Sequence, residues 1–81
     1  MNEKTILIVD DTVTNLDILA DLLCGYDVID ALNGFDALKI VKEEKVDLIL
    51  LDVMMPEMNG FEVCQELKAN PKTKNIPILF I

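Results

Sequence analysis

Histidine, arginine and tryptophan are absent from this 81-residue sequence. Without histidine, the chain has no zinc site that uses this ligand and no His-based acid–base chemistry. Its 7 basic residues, all lysine, face 15 acidic ones, for a formal net charge of −8. The chain therefore lacks the positive patch that direct nucleic-acid binding needs. No apolar run approaches the roughly 20 residues that cross a bilayer, which predicts no membrane span.

Cysteine is also scarce. Cys24 and Cys64 stand in apolar surroundings without the CxxC spacing of redox and metal motifs. We expect both to be reduced residues in or near the core of a cytoplasmic protein. The composition, 52% hydrophobic and 27% charged, is that of one folded domain over residues 1–81. A chain of this length buries roughly 60–65% of its unfolded surface, so its stability margin is thin.

Four apolar runs predict the strands of a sheet. Residues 5–9 (TILIV) and 46–51 (VDLILL) are nearly continuous in apolar side chains, as in strands that are covered on both faces. Residues 26–29 and 76–81 predict two further strands.

Three segments between these runs have apolar residues at helical spacing. The first begins near Val13, and Gly25 lies where a helix C′ residue is expected. The other two open on NGFD at 33–36 and NGFE at 59–62, where Asn is the expected N-cap and the acidic residue can form a capping box. Alternating strands and helices predict an α/β fold with a parallel sheet and right-handed crossovers.

Three aspartates directly follow predicted strands. Asp10 and Asp11 come after the first strand, and Asp52 comes after the third. If those strands are neighbours, the carboxylates meet at the sheet edge where open α/β sheets bind ligands. Their mutual repulsion would be relieved by Mg²⁺, which binds oxygen ligands and retains several waters. The alternative is that Asp10 or Asp11 only caps the first helix, which leaves Asp52 unexplained.

Asp52 is also a candidate nucleophile. A carboxylate beside Mg²⁺ can attack phosphorus and form an aspartyl phosphate. Asp52 stands alone on its strand and is followed by a turn with Pro56 and Gly60, so we expect its oxygens to be accessible. Thr12 and Thr14, in the first loop and helix, are expected to act as caps.

Four segments closely resemble the receiver domain of two-component response regulators. They are ILIVDDTVTNLDIL, YDVIDALNGFDAL, VDLILLDVMMPEMNGFEVCQELK and NIPILFI. The resemblance implies a flavodoxin-like, doubly wound parallel sheet with strand order 2-1-3-4-5. It implies that Asp52 is the phosphoacceptor, and that Asp11 and Asp52 bind Mg²⁺ directly. Asp10 would bind the ion through water, and the Met54 backbone carbonyl would complete the protein ligands.

The same resemblance implies partners. A sensor histidine kinase or a phosphotransfer protein would donate the phosphoryl group, so the chain is a signalling module and not an enzyme. The segment ANPKTKNIP is typical of receivers attached to larger effectors such as diguanylate cyclases, which implies a C-terminal effector domain.

The sequence departs from the family pattern at its end, because it stops within the fourth strand. The fourth helix, the fifth strand with its Lys-Pro and the last helix are absent, as is the Ser/Thr that contacts the phosphoryl group. We therefore expect an incomplete receiver domain with impaired switching and an apolar strand edge that self-associates through residues 76–81. A remnant of a longer protein, an edge-paired oligomer and a naturally short protein are alternative explanations.

Two other function classes stay open. One is a Mg²⁺-dependent phosphohydrolase with an aspartate nucleophile, similar to haloacid dehalogenase-like enzymes. Those enzymes place Asp-x-Asp after the first strand, whereas this sequence has adjacent Asp10 and Asp11 there. The other is an interaction module that is not phosphorylated.

Overall fold

The computed structural model describes residues 4–81 as a four-stranded parallel sheet with three helices. The sheet order is β2-β1-β3-β4, with every neighbouring pair parallel, which confirms the predicted fold class. No helix in this part of the chain is long and apolar enough to cross a membrane. The elements, in chain order, are β1 (Thr5–Val9), α1 (Val13–Leu22), β2 (Asp27–Ala31), α2 (Gly34–Glu43), β3 (Leu48–Leu51), α3 (Gly60–Ala69) and β4 (Ile78–Phe80).

The two faces of the sheet carry separate cores. Side chains alternate along a strand, so Leu7 and Ile8 of β1 belong to opposite faces. On one face, α2 and α3 pack over the larger cluster, to which they contribute Ala37, Val63 and Leu67. On the other face, α1 covers a smaller cluster of Ile6, Ile8, Leu16 and Leu50. The central strands β1 and β3 are therefore covered on both sides, which explains their continuous apolar sequences.

β4 is the edge strand on the β3 side of the described sheet. The residues on either side of β4 also bond to β3: the Ile49 N–H donates to the Pro77 carbonyl at 3.0 Å, and the Ile81 N–H donates to the Leu51 carbonyl at 3.0 Å. Successive residues of a strand point their N–H and carbonyl groups to opposite sides. Those of Ile78 and Phe80 therefore point outward, away from β3. The side chains of Leu79 and Phe80 are 58% and 40% exposed. The predicted apolar edge is therefore present.

Several local predictions need correction. β2 starts one residue later than predicted and extends to Ala31, while β3 and β4 each start two residues later. Gly25, which has a φ of 100°, was predicted at the C′ position of α1. The C-cap is Leu23, so Gly25 lies one residue later, at C″. Cys64 is half-buried near the larger core, but Cys24 is exposed because it lies in the turn after α1.

Candidate functional site

The ends of β1 and β3 bring the three predicted site aspartates to one edge of the sheet. Val9 pairs with Leu51, so the residues after them leave the sheet side by side. The Asp52 N–H donates to the Val9 carbonyl at 2.9 Å, and the Asp10 N–H donates to the Ala31 carbonyl of β2 at 3.1 Å. Neighbouring strands thus fix the backbone of both residues.

Asp10, Asp11 and Asp52 each offer a carboxylate oxygen, and these oxygens lie within 4.8 Å of one another. Asp10 is buried, Asp52 is half-buried and Asp11 is exposed. Three carboxylates at this separation repel one another, and a hard divalent cation is the partner that best offsets the repulsion. The donor set fits Mg²⁺, since all three ligands are oxygens and the exposed side of the cluster leaves room for retained waters.

Hydrogen bonds hold two of these carboxylates in place. One oxygen of Asp10 accepts the Thr12 N–H at 2.9 Å, and the other accepts the Asn15 side-chain amide at 3.2 Å. The Met54 N–H donates to Asp52 at 3.0 Å. The carboxylates are therefore oriented from their own loops and from the first turn of α1.

The entry to α1 differs from the expectation that Thr12 and Thr14 are caps. Thr12 does occupy the N-cap position, but its side chain makes no capping hydrogen bond. Thr14 lies inside the helix. Asp10 instead accepts the Thr12 N–H, which is an Asx-turn. Asp10 thus orders the backbone before α1, but it is not the helix cap of the alternative interpretation, which also leaves Asp52 unexplained.

The loop between Asp52 and α3 is tightly folded. The Met58 N–H donates to the Pro56 carbonyl at 2.7 Å, and Glu57 between them has a φ of 67°, which makes this a γ-turn with a positive central φ. The side chain of Met54 in the same loop is 81% exposed. The proposed use of the Met54 carbonyl as a metal ligand stays a prediction.

Asn15 is the contributor to the cluster that the sequence analysis did not identify. The only signal in the sequence was an amide residue near the start of a helix that follows two aspartates. Its bond to Asp10 depends on the direction in which α1 leaves the loop, and helical periodicity does not encode that direction.

Comparisons with known proteins point to one family. The family model of the response regulator receiver domain matches residues 6–81. A probable cyclic di-GMP phosphodiesterase of Vibrio cholerae is 43% identical over 82 residues, which cover 100% of this chain and 19% of that protein. The response regulator PleD of Caulobacter vibrioides is 45% identical over 78 residues, which cover 94% of this chain and 17% of that protein. The chain thus spans under one fifth of the length of either relative.

Solved structures agree with this match. The structure of the Vibrio cholerae chemotaxis protein CheY4 superimposes with a TM-score of 0.93 at 32% identity. The alignment covers 98% of this chain and 68% of that one. The similarity therefore extends over essentially the whole described sheet and its helices.

Proposed function

Because the chain belongs to the response regulator receiver family, we propose that it accepts a phosphoryl group on Asp52 with Mg²⁺ bound beside it. The observation that carries this proposal is the convergence of Asp10, Asp11 and Asp52 within 4.8 Å at the carboxyl edge of the sheet. Asp52 is the candidate acceptor because it is the one acidic residue that directly follows the central strand β3, and it is only half-buried.

The three aspartates have different roles in this proposal. In the proposal, Asp11 and Asp52 bind Mg²⁺ directly, the Met54 backbone carbonyl adds a ligand, and Asp10 acts through a water molecule. The hydrogen bonds from Thr12 and Asn15 to the two oxygens of Asp10 support this indirect role, because part of the acceptor capacity of each oxygen is already used. When bound, the ion neutralises charge on the transferring phosphoryl group.

The transfer itself is an in-line displacement at phosphorus. An oxygen of Asp52 forms the new P–O bond while the phosphorus–nitrogen bond of a phosphohistidine in the donor breaks. The electron pair of the broken bond stays on the imidazole nitrogen of the donor. The donor is proposed to be a sensor histidine kinase or a phosphotransfer protein of the cytoplasm, since this chain contains no histidine of its own.

A receiver of this kind controls an attached or separate effector. Both relatives described above are several times longer than this chain, and the name of one of them specifies a cyclic di-GMP phosphodiesterase. We propose that the phosphorylated chain acts on a C-terminal effector domain in its parent protein.

Measuring the mass of the chain after incubation with a phosphodonor tests whether Asp52 is the phosphoryl acceptor. Incubation of the chain with Mg²⁺ and acetyl phosphate is expected to add the mass of one phosphate, and Asp52→Asn is expected to abolish that gain. Asp21→Asn is the matched control, because it removes the same charge from an exposed position on α1 and should leave the gain intact. Chelation of Mg²⁺ should also prevent the gain.

Two outcomes would contradict the proposal. An equal mass gain in Asp52→Asn would remove this residue from the acceptor role. Release of many phosphates per chain, with no lasting adduct, would instead support the alternative of a phosphohydrolase.

The exposed edge of β4 supports a second proposal, that the 81-residue chain self-associates there. The edge combines outward backbone groups at Ile78 and Phe80 with a side chain, Leu79, that is 58% exposed. Unpaired apolar strand edges are templates for pairing with another chain. We therefore expect light scattering to report a mass above that of the monomer at micromolar concentration.

Leu79→Lys is expected to restore the monomer, because a charged residue on an edge strand opposes pairing. Leu22→Lys is the matched control, since it places the same charge on an apolar residue of α1 that is 74% exposed. A folded wild-type monomer at micromolar concentration would end this proposal.

A further inference from the structure

Asp10 is the least accessible of the three clustered carboxylates, at 4% exposed. A carboxylate taken out of water requires hydrogen-bond donors, and Asp10 has one on each oxygen. The donor to the first oxygen, the Thr12 N–H at 2.9 Å, comes from the adjoining loop. The donor to the second, the Asn15 amide at 3.2 Å, comes from the first turn of α1.

We propose that Asn15 is a positioning residue that fixes the Asp10 carboxylate and thereby sets the affinity of the site for Mg²⁺. The inference rests on the proposed function, since it assumes that the aspartate cluster holds the ion. A single donor from Thr12 would still leave the carboxylate free to rotate about its terminal bond. A second donor on the opposite oxygen restricts that rotation, so both oxygens present fixed lone pairs to the water of the ion.

The contact also links the site to α1. Asp10 lies in the loop after β1, whereas Asn15 belongs to the helix that covers the smaller core through Leu16. The side-chain amide of Asn15 therefore connects the Asp10 carboxylate directly to α1. Partners of this kind, which hold the ligands and not the metal, typically change metal affinity by about 10–100-fold when they are removed.

A purely structural role for Asn15 makes a different prediction. If the amide only tied α1 to the preceding loop, its loss would lower the stability of the metal-free chain and leave the Mg²⁺ affinity of the folded fraction unchanged. Asn15→Ala removes one of the two donors to the buried Asp10 carboxylate, so the stability of the metal-free chain falls under either role. The Mg²⁺ affinity of the folded fraction is the readout that distinguishes them.

The test is a Mg²⁺ titration of the ¹⁵N-labelled chain, followed by NMR at the amide resonances of Thr12 and Met54. Asn15→Ala is expected to raise the dissociation constant by about 10-fold, at the lower end of the range for such residues. Asn15→Gln, which keeps an amide donor on a longer side chain, is expected to recover most of that loss. Thr14→Ala, an exposed change in the same helical turn, is the matched control and should bind as the wild type does.

The outcomes separate the inference from the proposed function. Wild-type affinity in Asn15→Ala would overturn the positioning role and leave the phosphoacceptor proposal intact. A wild-type chain whose amides do not respond to Mg²⁺ would overturn the proposed metal site itself. An affinity loss that Asn15→Gln does not recover at all would also count against an amide donor.

The wild-type chain provides an independent measurement, in case Asn15→Ala does not fold. The side-chain amide resonance of Asn15 is expected to shift with the same Mg²⁺ dependence as the Thr12 amide. An Asn15 amide that is insensitive to the ion, in a chain whose Thr12 amide responds, would contradict the inference.

Discussion

α2 and α3 pack on the same face of the sheet and begin with nearly the same four residues, NGFD at 33–36 and NGFE at 59–62. In both, the Asn side chain accepts the backbone N–H of the residue three positions later, at 2.8 Å in α2 and 3.0 Å in α3. The difference lies in the acidic residue. Glu62 reaches back to the Asn59 N–H at 3.0 Å and completes a capping box.

Asp36 is one methylene shorter and does not make the equivalent bond to the backbone. Its carboxylate accepts the side-chain amide of Asn33 at 3.2 Å. The predicted capping box is thus confirmed for α3 and incomplete for α2. Two features differ between these helix entries: the length of the acidic side chain, and the φ of the cap residue, which is −160° at Asn33 and −79° at Asn59.

The glycines in the two sequences differ in what lies against them. A Cβ on Gly34 would lie 2.6 Å from a methyl group of Val63 and 2.8 Å from the sulfur of Met58, which are side-chain atoms. A Cβ on Gly60 would meet the backbone carbonyl of Asp52 and would lie 2.8 Å from the Cα of Val53. Gly34 therefore permits two helices to approach each other, whereas Gly60 permits α3 to approach the backbone of the site.

The largest effect should come from Gly60→Ala. Because the clash is with backbone that can relieve it only by moving, we expect the free energy of unfolding to fall by about 2–3 kcal/mol. The same movement should displace Asp52 and slow its phosphorylation by acetyl phosphate in the fraction that remains folded. Urea unfolding and the initial rate of mass gain measure the two effects.

Gly34→Ala is the matched control for that variant. Its clash falls on side chains, the flexible end of Met58 and a methyl group of the buried Val63, and not on backbone, so the loss of stability should be smaller, about 1–2 kcal/mol. Phosphorylation at Asp52 should be unaffected. Equal losses of stability in the two variants, or an unchanged phosphorylation rate in Gly60→Ala, would remove the distinction between the two glycines.

The order of strands and helices could be predicted from sequence because apolar periodicity records which faces are buried. The convergence of Asp10, Asp11 and Asp52 followed from that order, since the ends of neighbouring parallel strands meet at one edge. The predicted ends of the strands were less accurate. Val46 is apolar, and no glycine or proline separates residues 46–47 from Leu48.

The contacts that orient the site were not predictable from periodicity. The bond from Asn15 to Asp10 depends on the angle between α1 and β1, and the γ-turn at Glu57 depends on a backbone dihedral that most residues avoid. Likewise, nothing in the two NGF sequences indicates that one glycine faces side chains and the other faces backbone. These features are set by tertiary packing around the motifs.

The smallest predicted effects, about a few tenths of a kcal/mol, come from exchanging the acidic residues at the two helix caps, and removal of the caps themselves sets the scale. Asn59→Ala should lower the free energy of unfolding by about 1–2 kcal/mol, because it removes a capping box, and Asn33→Ala should lower it by about 0.5–1 kcal/mol. Exchanging the acidic residues tests the cause directly. Asp36→Glu should raise the free energy of unfolding by about a few tenths of a kcal/mol, because the longer side chain can reach the Asn33 N–H. Glu62→Asp should lower it by about as much. If urea unfolding shows the same sign for both exchanges, side-chain length is not what distinguishes the two helix entries.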